Sequence, residues 1–413
     1  MKRLTGPPDN PVITGLAVAT PVGLGKETFW KSVLGGSSGI TEIDRFDASG
    51  YPSRLAGQIR DFDAGEHLPS RLLPQTDVST RYALAAAAWA LADADVTAET
   101  LPDYDMGVVV ANALGGFEFT HREFRKLWSQ GPEFVSVYES FAWFYAVNTG
   151  QISIRHGMRG PGAALVAEQA GGLDALGQAC RTVRRGTGLV LSGGVDSALD
   201  PWGWASQLAG GRVSTVDDPA RAYLPFDAEA SGYVPGEGGA LLVVEDASTA
   251  RGRGAPHLYA EIAGYASTFD PPPGSDRPPT LRHAIELALT DADILPRDVD
   301  AVFADAAAVP ELDRAEAAAL TAVFGRHGVP VTAPKTLTGR MYAGGGPTDV
   351  AAAVLAIRDQ VVPATAGTRD VPEEYGLDLV VGDARELPVN TALVLARGRW
   401  GFNSALVVRA CRD

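Results

Sequence analysis

The residues best suited to nucleophilic or metal chemistry are scarce in this chain. It has two cysteines, Cys180 and Cys411, and six histidines, at positions 67, 121, 156, 257, 283 and 327. No histidine pair falls at HxxxH or HExxH spacing, so no metal site is expected. A nucleophilic thiol needs the N-terminus of a helix, where backbone N–H groups lower its pKa. Cys180 instead lies well inside a predicted helix, and Cys411 is third from the end. Gly344-Gly345-Gly346 belongs to neither a GxxxxGK[ST] nor a strand-linked GxGxxG pattern. It reads as close backbone packing, and Gly236-Glu237-Gly238-Gly239 reads as a structural turn.

One segment has the geometry of a reactive site. In Val166-Ala167-Glu168-Gln169-Ala170-Gly171-Gly172, an apolar run meets a tight small-residue turn and a helix leaves it. That is a nucleophile elbow, which holds one side chain at a helix N-terminus. The residue at its apex is Gln169, whose amide forms hydrogen bonds but cannot attack a thioester.

The elements needed to position such a turn are readable on both sides of it. Strands are predicted over 12–18, 106–110, 163–166, 188–192, 240–245, 260–265, 299–304, 391–396 and 404–409. Helices are predicted over 26–34, 80–94, 117–128, 171–184, 280–289, 314–324 and 348–359. Strands alternating with helices imply βαβ crossovers and helix-covered sheets, and three consecutive valines at 108–110 suit a parallel strand buried on both faces. The first half opens on Ile13-Thr14-Gly15 and the second on Ile262-Ala263-Gly264, which hints at a duplication with a seam near 246–256.

Composition narrows the function class. The 413 residues are 46% hydrophobic and 21% charged, a globular balance. A formal charge of −15 repels phosphate backbones and anionic lipid, so neither nucleic acid nor membrane is an expected partner. Met1-Lys2-Arg3 is followed by no apolar signal core, the longest apolar run is too short to span a bilayer, and two thiols suit a reducing cytoplasm.

Five blocks then match, in order, the β-ketoacyl synthase family, which this chain resembles over essentially its whole length. They are Val12-Ile13-Thr14-Gly15 with Thr20-Pro21-Val22-Gly23; Pro225-Phe226-Asp227 with Gly232 to Gly238; Asp313 and Glu316 of a D-x-x-E motif; Lys335 and Gly339 of a K-x-x-x-G-H motif; and Gly398, Gly401 and Asn403 of a C-terminal GFGG-x-N loop. The departures fall on the catalytic triad. The family's cysteine is Gln169 here, its first histidine is Asp305 and its second is Arg340. Arg399 and Trp400 replace residues of the GFGG loop. The AEQAGGLDA elbow, with 117–128 and 141–150, resembles the chain length factor (ketosynthase β) subfamily of bacterial type II aromatic polyketide synthases.

The resemblance implies an α/β, thiolase-like, duplicated α-β-α-β-α layered fold, with halves at 1–250 and 251–413. It implies a non-condensing subunit of an acyltransferase complex in antibiotic biosynthesis, in a heterodimer with a catalytic ketosynthase. No cofactor of its own is expected; the acyl chain would arrive on the phosphopantetheine of an acyl carrier protein. Phe117, Thr120 and Phe124, at i, i+3 and i+7 of one helical face, and Trp202 would line the substrate channel, suggesting an octaketide-class product. The aromatic-rich stretch from Phe134 to Tyr145 suits an obligate interface. Asp305 and Arg340 are expected to form a buried ion pair that locks the degenerate site, with Lys335 and Arg399 beside it. The competing readings are a malonyl carrier-protein decarboxylase supplying primer and a purely structural partner of the ketosynthase.

Overall fold

The computed structural model describes residues 11–272 and 274–411, so the expectation about the N-terminal ten residues falls outside it. Eleven strands form the path of one twelve-stranded sheet: β1 (Val12–Thr20), β2 (Met106–Ala111), β3 (Gly162–Leu165), β4 (Leu189–Asp196), β5 (Gly238–Glu245), β6 (Ala260–Phe269), β7 (Ala301–Phe303), β8 (Pro330–Thr332), β9 (Asp378–Leu379), β10 (Thr391–Arg397) and β11 (Phe402–Arg409). Their spatial order is β9-β8-β7-β10-β11-β6-β1-β5-β4-β2-β3, and the two-residue strand Gly23–Leu24 pairs with β1. The principal helices are α1 (Val78–Asp93), α2 (Phe117–Ser129), α3 (Gly171–Arg184), α4 (Pro201–Leu208), α5 (Leu281–Asp291), α6 (Pro310–Phe324) and α7 (Gly345–Asp359).

The sheet is mixed: βαβ crossovers join parallel strands in each half, and the remaining pairings are antiparallel. The valine-rich β2 is parallel to both neighbours, as its two-sided burial requires. Beyond β4 the pairing turns antiparallel through β5 to β1. The other half repeats this pattern: β7 is parallel to β8 and β10, and pairing then turns antiparallel through β11 to β6. The halves meet where β1 and β6 pair at Val12–Glu261 and Ile13–Ala260.

Period-two alternation sorts the strand side chains into layers. Leu242 and Val244 of β5, with Val394 of β10 and Leu406 and Val408 of β11, pack against α3 and α7 in the central core. Their neighbours Leu241 and Val243 face α1, while Leu393, Leu395, Ala405 and Val407 face α5 and α6. Helix α7 is buried continuously from Gly345 to Ile357, as a middle-layer helix must be. The result is the layered α-β-α-β-α fold.

The duplication is visible in atomic contacts. A Cβ at Gly15 of β1 would lie 2.4 Å from the Ala90 carbonyl oxygen and 2.8 Å from Ala94 Cβ. One at Gly264 of β6 would lie 2.3 Å from the Ala288 oxygen and 2.8 Å from Ala292 Cβ. The next residue of each strand donates its N–H to an aspartate of the facing helix: Leu16 to Asp93 at 3.0 Å and Tyr265 to Asp291 at 2.9 Å. The same close helix-on-strand approach is thus built twice.

Gly15→Ala and Gly264→Ala should each cost about 1–3 kcal/mol, because the added methyl meets helix backbone that cannot yield. Urea denaturation measures this, and an unchanged midpoint in either variant would show that the outer helix moves freely on its strand.

Candidate functional site

The elbow forms as the sequence requires. Strand β3 ends at Leu165, a single 3-10 turn spans Glu168–Ala170, and α3 begins at Gly171. Glu168 takes a left-handed conformation, φ 51°, of the kind found at strained catalytic turns. A Cβ at Gly172 would fall 2.2 Å from the Ala343 carbonyl oxygen, so the first turn of α3 can pack this tightly only because the position is glycine. Gln169 is buried beside Gly345 at the start of α7.

Asp305 and Arg340 meet beside this turn. Arg340 Nη2 donates to Asp305 Oδ1 at 2.9 Å and Oδ2 at 3.1 Å, while Nη1 donates to the Asp305 carbonyl oxygen at 2.7 Å. The remaining acceptor capacity of Asp305 takes the Arg397 N–H at 2.8 Å. Both side chains are buried. Burial opposes ionisation of Asp305, but the adjacent Arg340 and Lys335 charges outweigh it and hold the carboxyl below its usual range.

Lys335 does not take part in that pair through its own carboxylate contact. Its ammonium forms an ion pair with Asp349 Oδ2 at 2.7 Å and donates to the carbonyls of Ala304 and Asp305. The D-x-x-E residues, in the first two turns of α6, brace the same loop. Glu316 accepts the N–H groups of Asp305 and Ala306 at 2.7 and 2.9 Å, and Asp313 accepts the Phe226 N–H at 2.8 Å. Burial pushes Asp313 up to about 7, with the Glu316 and Asp305 charges adding to it and the Phe226 bond opposing it. Phe226, Ala306, Ala308 and Tyr342 all have positive φ. Each costs about 1 kcal/mol or more, and all four lie in the segments that frame this site.

Between Gln169 and the 398–401 loop lies a cavity of about 130 Å³. Arg399 lines it, and its backbone N–H donates to the Glu168 carboxylate. Its guanidinium lies over the ring of Trp400, which is 80% exposed with φ 76°. Gln169, Asp305, Arg340 and Arg399 therefore share one cavity, and Lys335 does not line it.

Phe117, Thr120, Phe124 and Trp202 form a separate group. The Trp202 ring, at the start of α4, lies 5.1 Å from Phe117 and 5.8 Å from Phe124 between centroids. Thr120 is buried on α2, the helix of Phe117 and Phe124. None of the four lines the cavity at Gln169. The 134–145 segment begins at the end of the 3-10 turn Pro132–Phe134 and holds one four-residue helix, Glu139–Ala142. Phe134, Trp143 and Phe144 are exposed there, and Ile154 and Val166 are exposed nearby in sequence.

The sequence reading missed Asp349, Glu168 and Arg397. No local pattern marks Asp349, since its partner Lys335 is reached only through the packing of α7. Cys180 is buried, with its thiol pushed up to about 12 by burial, and is no nucleophile.

Asp305→Ala should destabilise the protein by about 3–5 kcal/mol, because it leaves a buried guanidinium unpaired. Adding Arg340→Met should recover most of that loss. A double variant no more stable than the single one would mean that the pair is not acting as a unit. Asp313 gives a pH signature. Its carboxyl is raised when folded, so the folded state holds a proton that the unfolded chain releases, and stability falls as pH rises from about 4 through 7. Asp313→Asn should flatten that fall in denaturation series between pH 5 and 8, and a slope unchanged from wild type would contradict it.

Comparison with known proteins agrees with this geometry. The "Beta-ketoacyl synthase, N-terminal domain" matches residues 10–250 and the "Beta-ketoacyl synthase, C-terminal domain" residues 259–369. The chain is 67% identical over 398 residues to the actinorhodin polyketide β-ketoacyl synthase 2 of Streptomyces coelicolor, covering 96% of this chain and 98% of the relative. It is 59% identical over 399 residues to the tetracenomycin polyketide synthase ketoacyl synthase beta subunit of Streptomyces glaucescens, at the same coverage. Among solved structures, the ishigamide ketosynthase/chain length factor superposes with a TM-score of 0.90 at 25% identity, covering 98% of this chain and all of the other. A type II polyketide ketosynthase in complex with its acyl-carrier protein, bound to the hexaketide, superposes at 0.89 with 27% identity and the same coverage. A ketosynthase scaffold with Gln169 at its elbow, a buried Asp305–Arg340 pair beside it and these relatives along its length lead to one conclusion: the chain belongs to the β-ketoacyl synthase family, in the ketosynthase β, or chain length factor, branch of type II polyketide synthases.

Proposed function

We propose that this chain is the non-condensing half of a ketosynthase heterodimer and sets how far the partner's poly-β-ketoacyl chain can grow. The observation that carries this reading is the buried Asp305–Arg340 pair. Condensation needs a thiolate to carry the acyl chain and imidazole donors to stabilise the enolate formed by decarboxylation. Gln169 supplies no thiolate. The two imidazole positions hold a carboxylate and a guanidinium that satisfy each other.

The aromatic wall on α2 is what remains for the chain to contribute. Phe117, Thr120 and Phe124, with Trp202, line the channel for the growing polyketide, which arrives on the phosphopantetheine of an acyl carrier protein. Phe117 and Phe124 with Trp202 make the channel short, which fits an octaketide-class product. The partner is a catalytic ketosynthase. Strand β3 is the edge of the sheet, and Phe134, Val137, Trp143, Phe144, Ile154 and Val166 are exposed; an uncovered sheet edge and exposed large apolar side chains are both features that a second subunit would cover. The halves divide at 1–250 and 251–413, and the heterodimer works in the cytoplasm. Among the described residues, no helix is long and apolar enough to cross a membrane. Independent decarboxylation is the weaker reading, since its enolate would face the Asp305 carboxylate.

Phe117→Ala with Phe124→Ala should lengthen the dominant product by at least one acetate unit. Extension against a filled wall must compress packed side chains at about 1–3 kcal/mol, and each 1.4 kcal/mol is a factor of about ten in rate, enough for cyclisation to win. Thr120→Ala should act in the same direction but more weakly. The heterodimer reconstituted with malonyl carrier protein reads this by mass spectrometry. An unchanged length in a double variant that assembles and turns over would mean that the ruler lies elsewhere.

A further inference from the structure

A wall that measures length must itself be held in place, and α2 has no cap of its own for this. Its N-cap residue is Gly116, which supplies no side-chain hydrogen bond. The four N–H groups that open a helix need acceptors from elsewhere. One comes from far away in sequence: Asp77 Oδ2 accepts the Phe119 N–H at 3.0 Å. The other oxygen of the same carboxylate caps α1, accepting the Ser79 N–H at 2.9 Å and the Ser79 hydroxyl at 2.8 Å. Asp77 is buried. One buried carboxylate therefore serves two helix N-termini, one oxygen for each.

The surroundings leave α2 little freedom to choose another position. A Cβ at Gly115 would lie 2.2 Å from the Trp143 carbonyl oxygen, and one at Gly116 would lie 2.0 Å from that of Ala142 and 3.1 Å from Asp77 Cβ. The first turn of α2 is wedged between the 142–143 backbone and Asp77. The approach to it is tied down by Asp196, whose carboxylate accepts the N–H groups of Ala113 and Leu114.

We propose that Asp77 is a positioning residue for chain length: by bridging the N-termini of α1 and α2 it fixes where Phe117 and Phe124 stand, and so where the growing polyketide stops. This rests on the reading of α2 as the channel wall. Asp77 itself touches no substrate. Its effect passes through the axial position and tilt of α2.

Asp77→Asn and Asp77→Ser test it in the heterodimer reconstituted with malonyl carrier protein. Asparagine has one acceptor oxygen where aspartate has two, so it can serve only one helix. Serine still caps α1 but is too short to reach Phe119. In both variants the share of the dominant product should fall at least twofold, with longer and shorter chains appearing. Hydrogen exchange in the peptide holding Phe119 should rise at least tenfold, without a matching rise in the central helix α7. Asp246→Ala is the control: it removes the cap of the six-residue helix Ala247–Gly252 at the seam and should leave the length distribution unchanged. The Phe117→Ala/Phe124→Ala variant runs alongside. If that variant shifts length while the Asp77 variants do not, the positioning role is wrong and the wall stands. If neither shifts length, both fail. If Asp246→Ala broadens the distribution as much as the Asp77 variants do, the effect is general destabilisation and the proposal falls. If exchange rises equally in α7, the Asp77 variants have loosened the whole chain and the proposal falls as well.

Discussion

The buried pair of Asp305 and Arg340 is the interaction on which the arrangement of this site depends. Asp305 follows β7, Arg340 follows β8, and Arg397, whose N–H the same carboxylate accepts, ends β10. Three loops that leave one edge of the C-terminal half of the sheet are thereby tied at one point. An isolated charge in such a place would cost several kcal/mol. Here the guanidinium donates to both carboxylate oxygens and to a backbone carbonyl, so each charge meets partners in place of water. In a condensing enzyme the same positions must stay available to a reacting thioester. In this chain they are occupied by each other.

The scaffold around the pair holds several residues in strained backbone conformations. Glu168 holds a left-handed conformation one residue before Gln169, and Phe226, Ala306, Ala308 and Tyr342 do so in the framing loops. Such strain persists only where surrounding contacts over-determine it. Those contacts can be named: Glu316 accepts the Ala306 N–H, Asp313 accepts the Phe226 N–H, and the Glu168 carboxylate accepts the Arg399 N–H. Buried carboxylates on backbone donors, rather than the reacting groups themselves, keep the elbow in shape. This explains how the turn keeps its shape with Gln169 at its apex.

Much of this was legible in the sequence, for reasons that differ by element. Strands such as β2 and helices such as α3 announce themselves through long apolar periodicity, and the Gly15/Gly264 parallel is written in the strands themselves. The elbow and its lost nucleophile could be read from seven consecutive residues. The Asp305–Arg340 pair was foreseeable because two opposite charges replaced two residues of one site. The switch from parallel to antiparallel pairing was not legible, since alternation of strands and helices does not record the direction in which a sheet neighbour runs. Nor were Asp349 beneath Lys335 or Asp77 beneath Phe119. Both are buried carboxylates whose partners lie 14 and 42 residues away, and a lone Asp has no periodicity to betray it.

The two groups of site residues also differ in what encloses them. The cavity at Gln169 is lined by this chain's own loops, and the buried charges of Asp305 and Arg340 satisfy each other there. The Phe117–Phe124–Trp202 cluster is not closed: Trp202 is 42% exposed, and the aromatic segment that follows α2 faces outward with Phe134, Trp143 and Phe144 uncovered. Exposed aromatic surface and an unpaired sheet edge are each costly in water and prone to wrong association. A second subunit covering it would convert that surface into the lining of an enclosed space, with one wall from each chain. The position of α2 would then be felt across the interface, and the dimensions of the shared space would depend on residues that never meet the substrate.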